Sequence, residues 1–140
     1  MSDEKKPRVL FFCIGNMIRS QMAEGFAREY GGSFLEIYSA GLSPTGVVSE
    51  EAMEVMQEKG IDISDHTSNG FNAVPLAEMD YVISLTREPA ASVVPSNFEG
   101  TVLDWPTRDP LGGSFSSFRE VRDEIGGRVK EFVEGLWKSS

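Results

Sequence analysis

This chain is poor in the residues that most often build reactive or metal-binding sites: its 140 residues include one cysteine, Cys13, and one histidine, His66. A single cysteine excludes an internal disulfide and any multi-cysteine metal site, and neither a metal nor another cofactor is expected. Positive charge is also scarce, since 13 Lys and Arg against 22 Asp and Glu leave a net charge of −9. Nucleic acid and anionic membranes repel such a chain, so neither is an expected partner. No apolar run approaches the length of a membrane span. Residues 1–6 form a short charged stretch without a signal-peptide core, expected to be a flexible tail. There is no internal repeat, linker or low-complexity segment. With 40% hydrophobic residues the chain has enough apolar material for one substantial core, so a single domain over residues 1–140 is expected. A free thiol suits a reducing compartment, and the expected location is the cytoplasm.

What is present concentrates around that one cysteine. Arg8, Val9, Leu10, Phe11 and Phe12 read as a buried strand, and residues 20–30 carry Met22, Ala23, Phe26, Ala27 and Tyr30 at helical spacing. Between them lie Cys13, Ile14, Gly15, Asn16, Met17, Ile18, Arg19 and Ser20. Gly15 and Asn16 tolerate left-handed backbone, which turns successive N–H groups inward where a helix N-terminus already favours an anion. Inward amides, the helix end and Arg19 together favour a thiolate at Cys13, the nucleophilic form of the side chain. Arg19 offers a planar fork of donors that grips two oxygens of a tetrahedral oxyanion such as phosphate or arsenate. Ser20 has two open roles, donating its hydroxyl to the sulfur or capping the helix. Arg87 and Arg108 are further cations for the mouth of such a site.

Elsewhere strands and helices alternate. Residues 34–38 read as a second strand, ended by Ser39, Ala40 and Gly41. Ser49 caps a second helix carrying Ala52, Val55 and Met56 and closed by Gly60. A short helix over 72–79 leads to a third strand at 81–85, and 100–103 is a fourth. The last helix, 115–137, buries Phe118, Val121, Ile125, Val129, Phe132, Val133 and Leu136, with Gly126 and Gly127 marking close packing or a bend. Arg122, Asp123 and Glu124 read as its solvated face. The alternation implies an α/β fold, an open parallel sheet with helices on both faces, whose ligands bind beyond the carboxyl ends of the strands.

From Cys13 to Ser20 the chain resembles the low-molecular-weight protein tyrosine phosphatase superfamily, whose loop runs Cys-x-Gly-Asn-x-Cys-Arg-Ser. Residues 19–25, Ser39-Ala40-Gly41, residues 60–64, Trp105 through Asp109-Pro110, and residues 118–125 are similar to its arsenate reductase branch. The resemblance implies a three-layer, four-stranded parallel sheet in the order 2-1-3-4, with the oxyanion loop after strand 1. It also implies a general acid at Asp109, which protonates the leaving oxygen. An Asp-Pro pair also initiates turns, and Asp104 is a nearby carboxylate with an expected structural role. A lone histidine is usually hydrogen-bonded scaffold; in related phosphatases a histidine in this region fixes the loop asparagine, which implies contact between His66 and Asn16, with Ser39 contributing similarly.

Two residues depart from the loop pattern: Ile18 stands where a second cysteine is usual, and Gln21 where the phosphatases usually have proline. A larger departure follows strand 3. Arsenate reductases of this branch pass electrons through two further cysteines, but here Thr86 stands in the first region and residues 88–97 hold no thiol. Phosphomonoester hydrolysis needs no second thiol, so a cysteinyl-phosphate phosphatase is the first expectation. Arsenate reduction with an external thiol or redoxin is the alternative, and a non-catalytic oxyanion-binding protein the third. After Asp109-Pro110 comes Leu111-Gly112-Gly113, where phosphotyrosine enzymes carry aromatic residues. Trp105, Phe115 and Phe71 are the remaining candidates for an aromatic wall.

Overall fold

The computed structural model describes residues 6–139, so the expected tail at 1–6 lies, but for Lys6, outside the described residues. Four parallel strands, β1 (Arg8–Cys13), β2 (Glu36–Gly41), β3 (Tyr81–Ser84) and β4 (Thr101–Asp104), line up in the order β2-β1-β3-β4. The sheet order implied by the loop resemblance is therefore the order observed. β1 lies between β2 and β3, and Val9, Leu10, Phe11 and Phe12 are each fully buried. Such a strand reads as a continuous apolar run because both of its faces are covered.

The two covers differ in kind. Val9, Phe11, Ile37 and Ile83 meet the α-helices α1 (Arg19–Gly31), α2 (Glu50–Gln57) and α3 (Phe115–Ser139) in one core. Leu10, Phe12, Ala40 and Val82 meet a second core closed by Phe71, Val74, Leu76, Val93, Val94 and Phe98. Single-turn 3₁₀ helices at Phe71–Ala73, Leu76–Glu78 and Ala90–Ser92 form this side, so the helices of the outer layers are long on one face and rudimentary on the other. Pro75 breaks the expected helix at 72–79, because it forces Val74 into extended backbone (φ −129°, ψ 149°).

β2 runs three residues further than its sequence suggests. Ser39, Ala40 and Gly41 are weak strand formers, yet they pair with Phe11, Phe12 and Cys13, and the register carries the strand to the end of β1. Ser49 caps α2 as expected, accepting from the Ala52 N–H at 3.1 Å, and Gly60 supplies a left-handed residue (φ 75°) just beyond the helix. α1 and α3 meet at Gly126, where a Cβ would lie 2.8 Å from the Phe26 ring; Gly127 faces open space. Phe132 and Leu136 are only partly buried against this core.

Arg122 is not on a solvated face. It is 6% exposed and donates to the Val55 carbonyl at 2.9 Å and to Glu58 at 2.6 Å, tying α3 to the end of α2. Arg119 adds a fork on the same carboxylate, and these two guanidinium groups pull the Glu58 pKa down to about 2.

Candidate active site

β1 delivers Cys13 to the carboxyl edge of the sheet, and the chain then passes through residues 14–18 before α1 begins at Arg19. The loop carbonyls are all engaged by the surrounding scaffold. Cys13 O accepts from Leu42 N–H, Ile14 O from Ser43 N–H, Gly15 O from Thr45 N–H and Ser68 Oγ, and Met17 O from Ser49 N–H, at 2.7–3.1 Å. Asn16 O accepts from Gln21 Nε2 at 3.0 Å. In a trans peptide the N–H points opposite to the C=O, so the amides of Ile14, Gly15, Asn16, Met17 and Ile18 face the other way. Among the described residues none of these five amides has a protein acceptor. Gly41 makes the arrangement possible: a Cβ there would sit 2.8 Å from both Asn16 N and Ile14 O.

Asn16 adopts the left-handed backbone expected of it (φ 48°) and is completely buried. Its Oδ1 accepts from the Asn69 N–H at 2.7 Å, so its Nδ2 donates to Ser20 Oγ at 2.7 Å and to Ser39 Oγ at 3.0 Å. Ser39 passes its own hydrogen to Glu24 Oε1 at 2.6 Å, and Glu24 is in turn paired with Arg28. Ser20 Oγ has thus accepted from Asn16 and retains a hydrogen for Cys13 Sγ, 3.0 Å away. Of the two roles open for Ser20, the geometry shows the contact with the sulfur and no helix cap. Ile18, not Ser20, precedes the first helical residue, and no side chain caps α1. The hydroxyl is turned toward the sulfur instead.

Arg19 is 6% exposed and anchored through Nη1 to the Leu85 and Thr107 carbonyls at 3.2 and 2.8 Å. Its Nη2 stands 3.7 Å from Asp109 Oδ2. Asp109 also starts a turn, its Oδ1 accepting from Leu111 N–H at 3.0 Å, so its turn-forming and site-facing roles coexist. Its side chain is 45% exposed, in contrast to every polar side chain under the loop. Asp104 is structural, as expected: its Oδ1 accepts from the Ala90 N–H at 2.7 Å. Arg108 is paired with Glu120 on α3 and is not free to serve the mouth, while Arg87 remains exposed.

Two of the aromatic-wall candidates belong to the core. Trp105 packs on Phe11 and Phe132, with ring centroids 6.1 and 5.7 Å apart, and Phe71 on Phe12 at 5.3 Å. Phe115 stays half exposed under the Arg119 guanidinium, and Ile14, Leu42, Val47 and Leu111 are exposed on the loops beyond the strands.

The expected contact between His66 and Asn16 is not made. His66 Nδ1 lies 3.0 Å from Gln21 Oε1, and it is Gln21 that reaches the Asn16 backbone. The proline-free helix start makes room for this: Gln21 is fully buried beneath the loop. Glu24 and Gln21 are the polar supports that sequence reasoning missed. Their signal was a carboxylate and a carboxamide within the apolar run of α1, four and one residues beyond Ser20. Thr86, in the region where a relay cysteine is usual in the arsenate reductases, is buried and bound to Ser84 Oγ and to the Glu88 backbone. Among the described residues no cluster of His, Cys, Asp and Glu would hold a metal ion, and no helix is long and apolar enough to cross a membrane.

Comparisons with known proteins agree with this architecture. Arsenate reductase 2 of Staphylococcus saprophyticus is 41% identical over 131 residues, covering 92% of this chain and 98% of the relative. An arsenate reductase of Brevibacillus brevis is 39% identical, covering 94% and 97%. The solved structure of an arsenate reductase in its phosphate-binding state superposes with a TM-score of 0.78 at 34% identity, covering 92% of this chain and 98% of the other. The tyrosine phosphatase AmsI of Erwinia amylovora shares the fold, with a TM-score of 0.83 at 20% identity and 96% coverage of both chains. The family described as low molecular weight phosphotyrosine protein phosphatase matches residues 8–140, and the chain belongs to that family of enzymes.

Proposed function

We propose that the protein is a cysteine-dependent phosphomonoester phosphatase. The observation that carries this reading is the isolation of Cys13: the chain holds no second thiol, and Thr86 offers only a hydroxyl already bound within its own turn. In the first step the Cys13 thiolate attacks phosphorus while the ester oxygen leaves with the Asp109 proton. The amides of Ile14 to Ile18 and the Arg19 fork hold the equatorial oxygens, where charge is retained through the transition state. Ser20 stabilises the sulfur as nucleophile and then as leaving group. In the second step Asp109, now a carboxylate, takes a proton from water, which attacks phosphorus and expels the thiolate. The bond made to Cys13 is then broken, the water oxygen leaves in the phosphate, and there is no net electron transfer. The test is phosphate release from an aryl phosphate by wild type, Cys13→Ser and Asp109→Asn. Wild-type turnover that disappears in the first variant and falls in the second supports the proposal; no release from any aryl ester by the wild type overturns it.

The 41% identity to an arsenate reductase favours a second reading on the same loop. Cys13 attacks arsenate with loss of water, and an external thiol then attacks the Cys13 sulfur. Arsenic leaves as arsenite, reduced by two electrons, and a mixed disulfide remains for a second external thiol to resolve. Arsenite production that requires an added small thiol or redoxin supports this reading, and none with either ends it. Oxyanion binding without turnover in both assays leaves the non-catalytic reading.

A further inference from the structure

The five peptides of the oxyanion loop are not held alike. Four of their carbonyls accept from backbone N–H groups of residues 42–49, whereas the Asn16 carbonyl accepts from one side chain, Gln21. That peptide follows the one residue of the loop with left-handed backbone, Asn16. Its N–H belongs to Met17 and points away from the carbonyl, toward the side where the loop amides converge. Rotating the Asn16–Met17 peptide would withdraw the Met17 donor, and the Gln21 carboxamide opposes that rotation.

The orientation of Gln21 follows from its partners. Nε2 lies 3.0 Å from Asn16 O and 2.9 Å from Thr67 O, and both are carbonyl oxygens that only accept. The amide nitrogen must therefore face them, and Oε1 must face His66 Nδ1 at 3.0 Å. An oxygen that only accepts requires a hydrogen on that ring nitrogen. Glu24 Oε1, 3.9 Å from the same nitrogen, also only accepts when ionised and agrees with this assignment.

We propose that Gln21, oriented by His66 in its Nδ1–H tautomer, is a positioning residue that holds the Met17 amide in the oxyanion-binding direction. The inference rests on residues 13–20 being an oxyanion site, but it is independent of what reaction follows. It also changes the role of the sole histidine, which supports the loop through the carboxamide and not by touching Asn16.

The test reads inorganic phosphate affinity by calorimetry, with no turnover required, so its failure is separate from failure of the phosphatase reading. Gln21→Met keeps the volume and removes the donor. Losing one hydrogen bond to a charged ligand predicts binding weaker by about tenfold or more. His66→Leu weakens binding in the same direction, while His66→Asn, which presents an N–H where Nδ1 was, restores affinity to within about twofold of wild type on the same hydrogen-bond argument. Wild-type affinity in Gln21→Met, or equal losses in His66→Leu and His66→Asn, overturns the proposal. A measurement needing no variant accompanies these. The one imidazole of the native protein gives a single set of ¹⁵N resonances, and its neutral form must show the hydrogen on Nδ1. A hydrogen on Nε2 overturns the proposal even if the Gln21 variant fails to fold.

Discussion

The loop after β1 and the loop after β4 face each other across the carboxyl edge of the sheet and are built on opposite terms. In the first, Asn16, Ser20 and Gln21 are completely buried and every carbonyl has a fixed partner. In the second, Asp109 is 45% exposed and held by one turn hydrogen bond and a 3.7 Å approach to Arg19. The contrast matches the two demands of the proposed phosphatase mechanism. A cradle for oxyanion charge works by being oriented before the ligand arrives, because reorganising dipoles during the reaction would cost what they contribute. A residue that gives a proton in one step and takes one in the next needs contact with water. The buried loop is suited to holding, and the exposed one to exchange.

Breaking the buried side has the largest expected effect. Cys13→Ser should lower aryl phosphate turnover by at least about 10⁴-fold, since it removes the covalent route altogether. Steady-state assays check this, and phosphate binding should survive because the amides and Arg19 remain. On the exposed side Asp109→Asn should cost about 10²–10⁴-fold in turnover, the usual range for a lost general acid. The loss should shrink for leaving groups that need no proton, which a series of substituted aryl phosphates will show. Gly41→Ala tests the cradle's packing without touching its chemistry. Its Cβ would press on Asn16 N and Ile14 O at 2.8 Å, and the expected cost is about 1–3 kcal/mol in thermal or denaturant unfolding, together with weaker phosphate binding.

The smallest effect belongs to the pair of helices behind both loops. Glu58 has its pKa lowered to about 2 from 4.5, first by Arg119 and then by Arg122. A lowered folded-state value means that its contribution is complete above the unfolded value and is lost as pH falls through the folded one. The wild type should therefore lose stability more steeply than Glu58→Gln between about pH 4.5 and pH 2. Urea midpoints across that window will show it, and parallel curves would remove the ion pair from the account.

Much of this architecture is legible in the sequence because it depends on short-range patterns. The apolar run before Cys13, the Gly-Asn pair and the helical spacing after Ser20 all describe local geometry, and the fold realises the run and the helix while only Asn16 of the pair takes left-handed backbone. What was not legible depends on register and on distance along the chain. β2 extends through Ser39-Ala40-Gly41 because β1 is there to pair with it, which no local propensity reports. His66 was expected to touch Asn16, yet 45 residues separate it from Gln21, the side chain that intervenes. Arg122 looked solvated because its neighbours are charged, but its partner carbonyl lies on α2, 67 residues away. The lone cysteine drew attention to the loop, while the buried Glu24 and Gln21 that hold it were hidden among ordinary helix formers.

The outward carbonyls of residues 13–17 carry a final consequence, for selectivity. A ring of amides grips oxygen atoms and is blind to the element they surround, so phosphate and arsenate present it with nearly the same object. Discrimination between them cannot be made on entry. On either proposed reading it falls to the step after attack, where water or a thiol arrives at the adduct, and inorganic phosphate becomes a competitor of either substrate at the threshold.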